Sequence, residues 1–150
     1  MANELDFGES EQKKTIDLSK FFTKKNEEEG TWVEPIIFGE LTGVEFQVLG
    51  SNSNRLAMVI DEFRRKSAEI ESIKDPEERA KRTSALYAAS AAKRVVGIRA
   101  VKGVVATVEG KPIEYSESLI KHIFEESPEI ASFIIRYSVD SSNFMMKKNA

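Results

Sequence analysis

Thr31-Trp-Val-Glu-Pro-Ile-Ile-Phe-Gly-Glu-Leu-Thr-Gly-Val-Glu-Phe-Gln-Val-Leu49 is the stretch that decides the fold class. Its two arms, Thr31–Phe38 and Val44–Leu49, are rich in β-branched and aromatic residues and flank Gly39-Glu-Leu-Thr-Gly43, the composition of a β-hairpin with glycine in its turn. In the second arm Val44, Phe46 and Val48 alternate with Glu45 and Gln47, which predicts one dry face and one wet face. Pro35 has no N–H to give to a ladder, so the first arm belongs at a sheet edge or a bulge. Trp32 reads as the large apolar residue of this hairpin in preference to a ligand-stacking ring.

Downstream the period changes from two to that of a helix. Gly50-Ser-Asn-Ser-Asn54 offers several oxygens for an N-cap, and Leu56, Val59, Ile60, Phe63, Ile70 and Ile73 then recur at helical spacing. Asp75-Pro76-Glu77-Glu78 is a cap, a first-turn proline and a capping-box spacing, so a second helix begins there. Ala80, Leu86, Tyr87, Ala91, Val95 and Ile98 continue its spacing, and the alanines allow close approach to the first helix as an antiparallel pair. Val101–Val108, Glu109-Gly-Lys111 and Pro112–Tyr115 predict a second small hairpin. Ser116 caps a short helix with Leu119, Ile120, Ile123 and Phe124 on one face, and Ser127-Pro128-Glu129 opens a last helix burying Ile130, Phe133, Ile134, Tyr137 and Phe144.

Upstream, Met1–Thr15 is polar, with only Leu5 and Phe7 to bury, and reads as a flexible tail. Ile16–Phe22 is the first packable segment, with Leu18, Phe21 and Phe22 on one short helical face. Lys24-Lys-Asn-Glu-Glu-Glu-Gly30 reads as a solvated connector without a binding role. The expected architecture is α+β and mainly helical, with about four helices and two small β-hairpins in one domain. Its expected boundaries are a flexible tail over residues 1–15, a globular unit over residues 16–146 and a frayed end over residues 147–150.

Composition narrows the chemistry. At 150 residues one core is possible, and zero cysteines exclude disulfides and thiolate-ligated metals. The opening residues have no basic and apolar leader pattern, and no apolar run reaches the length of a bilayer span, so the expectation is a cytoplasmic protein without membrane. The net charge of −3 gives no global attraction to phosphate backbones. A local basic set remains in Arg55, Arg64, Arg65, Lys66, Arg79, Lys81, Arg82, Lys93, Arg94, Arg99 and Lys102, the basis of an alternative reading as a nucleic-acid-binding regulator. Pairing with Asp61, Glu62, Glu69 and Glu71 is the favoured account of it. The single His122 has no nucleophile and orienting acid implied by its neighbours, and the carboxylates sit in charge runs or first helical turns. No catalytic, cofactor or metal residues are therefore expected, and the chain reads as a non-enzyme.

The order of motifs adds a further expectation. Leu18-Ser-Lys-Phe21, Gly30-Thr-Trp-Val-Glu34 and Val48-Leu-Gly-Ser-Asn-Ser53 resemble the front half of small proteins encoded among bacteriophage and prophage tail genes. Val101-Lys-Gly-Val104, Glu109-Gly-Lys-Pro-Ile-Glu-Tyr-Ser116, Ser127-Pro128 and Ser142-Asn-Phe144 resemble the back half, so the similarity covers roughly residues 16 to 146. The chain departs from that pattern at Ser51-Asn52-Ser53 and at Val101-Lys102. The family is that of phage tail assembly chaperones, and the resemblance implies binding of the tape measure protein or tail tube subunits in the host bacterial cytoplasm, with no cofactor. A minor structural protein of the virion tail or neck is the alternative, and a homo-oligomer is compatible with either. The candidate partner-binding residues are Phe21, Phe22, Trp32, Phe133, Tyr137 and Phe144.

Overall fold

A computed structural model describes residues 12–146 of the chain. Residues 1–11 of the expected tail and the expected frayed residues 147–150 lie outside the described residues. The chain is α+β and mainly helical, as its patterning predicts. After a single 3-10 turn at Leu18–Phe21 come α1 (Lys24–Glu29), β1 (Thr31–Val33), β2 (Ile36–Ile37), β3 (Glu40–Leu41) and β4 (Val44–Val48). They are followed by α2 (Asn54–Glu71), α3 (Pro76–Ala92), β5 (Val95–Ala100), β6 (Thr107–Val108) and β7 (Lys111–Pro112). The described chain ends with α4 (Glu117–Glu126), α5 (Pro128–Val139) and a second 3-10 turn, Ser141–Phe144.

The expected first hairpin forms, with β1 antiparallel to β4 and Val33 opposite Phe46. β5 adds to the other side of β4, giving the order β1-β4-β5, so Pro35 does follow an edge strand. Gln47 pairs with Gly97 but Val48 pairs with Val95, which leaves Val96 as a bulge residue. Beyond Pro35 the hairpin carries a smaller one at its tip, β2 against β3, closed by the two residues Phe38 and Gly39. Both have positive φ, 53° and 80°, the geometry of a type I′ turn.

The dry face of the sheet, Phe46, Val48 and Val95, meets Ala88, Ala91 and Ala92 of α3, Ile120 and Phe124 of α4, and Ala131 and Ile134 of α5. The alanine run of α3 has no bulk to hold neighbours away, so α4 and α5 both pack on it. Phe46 and Phe124 touch as a tilted pair with ring centroids 6.0 Å apart. The four long helices start at expected caps: Ser53, Asp75, Ser116 and Ser127 each accept a backbone N–H of the first turn. Glu78, by contrast, turns to Arg82 at 2.8 Å instead of closing a capping box.

Four expectations require correction. Val95 and Ile98 do not extend α3: they belong to β5, because the β-branched run Val95-Val96-Gly97-Ile98 finds a strand partner in β4. The expected strand Val101–Val108 shrinks to Thr107–Val108, since Val101–Ala106 turns through Gly103 at φ 85°. The charge run Lys24–Gly30 is not a solvated connector but a helix whose Glu27 is fully buried. Ile16–Phe22 does not pack as a helical face, and Leu18, Phe21 and Phe22 stay 66%, 55% and 60% exposed.

Candidate partner-binding surfaces

The six residues expected to meet a partner do not form one surface. Phe144 is fully buried and cannot serve as contact: its ring packs edge-on against Tyr137, 5.5 Å between centroids. Tyr137 is half-buried and its hydroxyl shares a 2.7 Å hydrogen bond with Thr31 Oγ1, which ties α5 to the edge strand. Phe133 is half-buried against the core. Trp32 is half-buried on the opposite face of the sheet, where Arg99 Cζ lies 3.9 Å from its ring centroid and Arg99 Nε donates to Glu45 Oε1 at 2.7 Å. Gly97 makes this stack possible, because a Cβ there would come within 3.0 Å of Trp32 Cη2. Phe21 and Phe22 alone among the six are presented to solvent. With Ile16 and Leu18 they form an exposed apolar run, and Lys20 Nζ lies 5.0 Å from the Phe21 ring centroid. Lys14–Asp17, Ser19–Phe21 and Met146 line a shallow groove beside it.

The connector misread as solvent-facing organises the neighbouring loop. Glu27 accepts from Thr23 Oγ1 at 2.7 Å, from the Asn52 backbone N–H at 2.9 Å and from Asn52 Nδ2 at 3.1 Å. Its neighbour Glu28 accepts from Ser53 Oγ and from the backbone N–H of Asn54 at the start of α2. That Asn54 N–H, and then the Ser53 hydroxyl, hold the Glu28 carboxyl below the ordinary glutamate range. On the far side of the same loop Arg94 is 7% exposed and donates from Nη1 to Ser51 Oγ and Ser138 Oγ, both at 2.7 Å. Burial pulls its pKa below the usual arginine value, and its Nε has no hydrogen-bond partner. Gly50–Ser53 is thus clamped between a buried anion and a buried cation, neither with an oppositely charged side chain in salt-bridge range among the described residues. These residues anchor α1, α5 and the terminal turn.

A second exposed apolar cluster includes a residue that sequence reasoning placed inside a hairpin arm. At the tip of β2–β3, Phe38 is 83% exposed, with Ile36 and Leu41 more than half exposed beside it. Val104 and Val105 of the loop after β5 are exposed too, and Val104 Cγ1 lies beside Gly43, at the base of the tip and not at its end. The available signal was Phe38-Gly39 in a two-residue turn, where Asn-Gly or Asp-Gly is the usual choice. A separate groove lies between α2 and α3, floored by Ile70, Ala85 and Leu86 and rimmed by Lys66, Lys81 and Arg82.

The remaining chemistry is sparse. His122 Nε2 donates to Glu109 Oε1 at 2.9 Å, a pair exposed to solvent with no nucleophile in its hydrogen bonds. Among the described residues no group of His, Asp and Glu is arranged to hold a metal ion, and no helix is long and apolar enough to cross a membrane. Of the central basic residues, Arg64, Arg65, Lys66 and Arg82 pair with acids three or four positions away on their own helices. Lys93 and Arg99 pair with Glu117 and Glu45, and Arg94 is buried. No protein-family model, curated protein or solved structure matches the chain.

Proposed function

We propose that this chain is a non-enzymatic assembly protein that holds an apolar segment of a partner, in the manner of a phage tail assembly chaperone acting on the tape measure protein or tail subunits in a host bacterial cytoplasm. The observation that carries the binding role is the run Ile16, Leu18, Phe21 and Phe22, each more than half exposed. The motif order supplies the phage setting. Burying the exposed parts of these four side chains contributes about 4–7 kcal/mol gross. Association itself costs at least about 4 kcal/mol, so this run alone gives a weak, reversible hold. That suits a protein which must let its client go.

Co-expression with the tape measure protein of the same gene cluster is the direct test. The wild-type chain should raise the soluble fraction of that protein and co-purify with it, while Phe21→Ser/Phe22→Ser should fold normally and lose the effect. Unchanged client solubility with the wild type would refute the reading. Mass spectrometry of finished particles then separates a chaperone, which is absent, from a minor structural protein of the tail or neck, which remains.

A further inference from the structure

α1 differs from the other α-helices in how it is held. Lys24-Lys-Asn-Glu-Glu-Glu29 contains no apolar residue, and its only buried side chain is the Glu27 carboxylate, whereas α2, α3, α4 and α5 each bury apolar side chains. Six residues are too few for a helix that is stable alone, which needs about 12–15. Thr23 gives α1 no side-chain cap, and three glutamates crowd its C-terminal half, where the helix dipole disfavours anions. Phe21 and Phe22, just ahead of it, stay mostly exposed. α1 is therefore helical because the body of the protein holds it so.

The hold runs along one strip of backbone whose amides alternate between two partners. Leu49 N donates to Arg94 O at 2.8 Å and Ser51 N to Ser138 O at 2.9 Å, both in the body. Between and after them, Gly50 N donates to Glu27 O at 3.0 Å, Asn52 N to Glu27 Oε1 at 2.9 Å and Asn54 N to Glu28 Oε1 at 3.0 Å, all in α1. Asn26 Nδ2 adds a bond to Phe144 O at 3.0 Å, and Lys24 Nζ one to Asn52 O at 2.6 Å. Such bonds exchange for bonds to water, whereas parting α3, α4 or α5 from the sheet exposes buried apolar surface. We propose that residues 12–30 form a latch, undocking from the Gly50–Asn54 strip as one unit while the sheet and α2 to α5 stay folded. Gly30, at φ 88°, is the joint, because β1 starts at the next residue and is held by the β4 ladder and the Tyr137 hydroxyl. Once undocked, Thr23–Gly30 is a leash of eight residues that carries Ile16–Phe22 out to a client over roughly 27 Å. That use rests on the client-binding reading; the undocking does not, and it is measured on the protein alone.

Hydrogen exchange of the native full-length chain, read residue by residue by NMR in a series of low urea concentrations, decides it. The amides of Glu27, Gly30, Gly50 and Asn52 should converge on one protection and one shallow urea slope, at least about a hundredfold less protected than the β4–β5 ladder. Leu49 and Ser51, interleaved with them in sequence, should keep the protection of the ladder. Ile120→Val trims a fully buried side chain of α4, which packs on α3, α5 and β5. It should lower ladder protection about two- to tenfold and leave the four latch amides unchanged. Latch amides as protected as Leu49 and Ser51 overturn the proposal, as do latch amides that scatter without a common value, the pattern of independent fraying. So does an Ile120→Val variant that loses protection by the same factor in latch and ladder, because α1 then leaves only when the whole chain unfolds.

Discussion

Replacing Glu27 by alanine tests the clamp around the Gly50–Ser53 loop. The carboxylate accepts three hydrogen bonds, at 2.7, 2.9 and 3.1 Å, two of them from Asn52. Bonds to a charged acceptor contribute about 1.5–3 kcal/mol each, so the gross loss is about 4.5–9 kcal/mol. Two effects reduce it: Asn52 lies at the surface, where water can replace the acceptor, and removing an unpaired buried anion relieves its desolvation. The expected net loss is about 2–3 kcal/mol, or about 4–12 °C in melting temperature for a chain of this size. Urea and thermal unfolding followed by circular dichroism at neutral pH measure it. Glu27→Gln keeps the shape and one acceptor oxygen, so it should lose about half as much. A loss below about 0.5 kcal/mol for alanine, the range of ordinary surface substitutions, would refute the reasoning.

Gly50→Ala should cost at least about 2 kcal/mol, because its Cβ would lie 2.6 Å from the Cβ of fully buried Glu27, whereas Gly97→Ala meets first the flexible end of Gln47 and should cost about 1 kcal/mol and shift the fluorescence of Trp32. The carboxyls of Glu28, held low chiefly by the Asn54 N–H, and of Asp140, held low by Ser142, have folded pKa values below their unfolded ones. The stability they contribute is therefore complete above the ordinary carboxylate range and is lost as pH falls through the folded values, so unfolding free energy should decline below about pH 4. Glu28→Gln should flatten that acid limb, and an unchanged slope would remove Glu28 from the account. Ser116→Ala, which deletes the α4 cap on Leu119 N, should cost about 1 kcal/mol in urea unfolding, while Ser118→Ala two residues on should cost nothing measurable.

The helices were legible because their signals are local. Ser53, Asp75, Ser116 and Ser127 cap in sequence what they cap in space, and Pro76 and Pro128 mark first turns whatever the rest of the chain does. β5 was hidden because Val95 and Ile98 also satisfy the period of the helix before them; its partner β4 lies about 50 residues upstream, and that pairing, not local preference, ends α3. Glu27 was hidden inside a run of like residues, since only the arrival of Asn52 distinguishes it from Glu29. Of the candidate surface, Phe21 and Phe22 were found for their apolarity alone. Phe38 was missed because alternation says that a hairpin arm is half-buried but not where the arm ends. Phe144 was offered as a contact for the same apolarity that puts it in the core.

The return of the chain at Arg94 has a consequence for how the protein tolerates change. Leu49 N donates to Arg94 O at 2.8 Å, so residues 50–93 leave the sheet and rejoin it at a single point. Only the near end of this excursion, Leu56, Ala88, Ala91 and Ala92, is fixed in apolar core, and the far end around Ile70–Ala80 contains no fully buried residue. The bend at Ser72–Lys74 is therefore a natural insertion site. Matched helical turns can be added to or removed from α2 and α3 there, or a label grafted in, at a loop-closure cost that rises only slowly with length and leaves β4 and β5 in register.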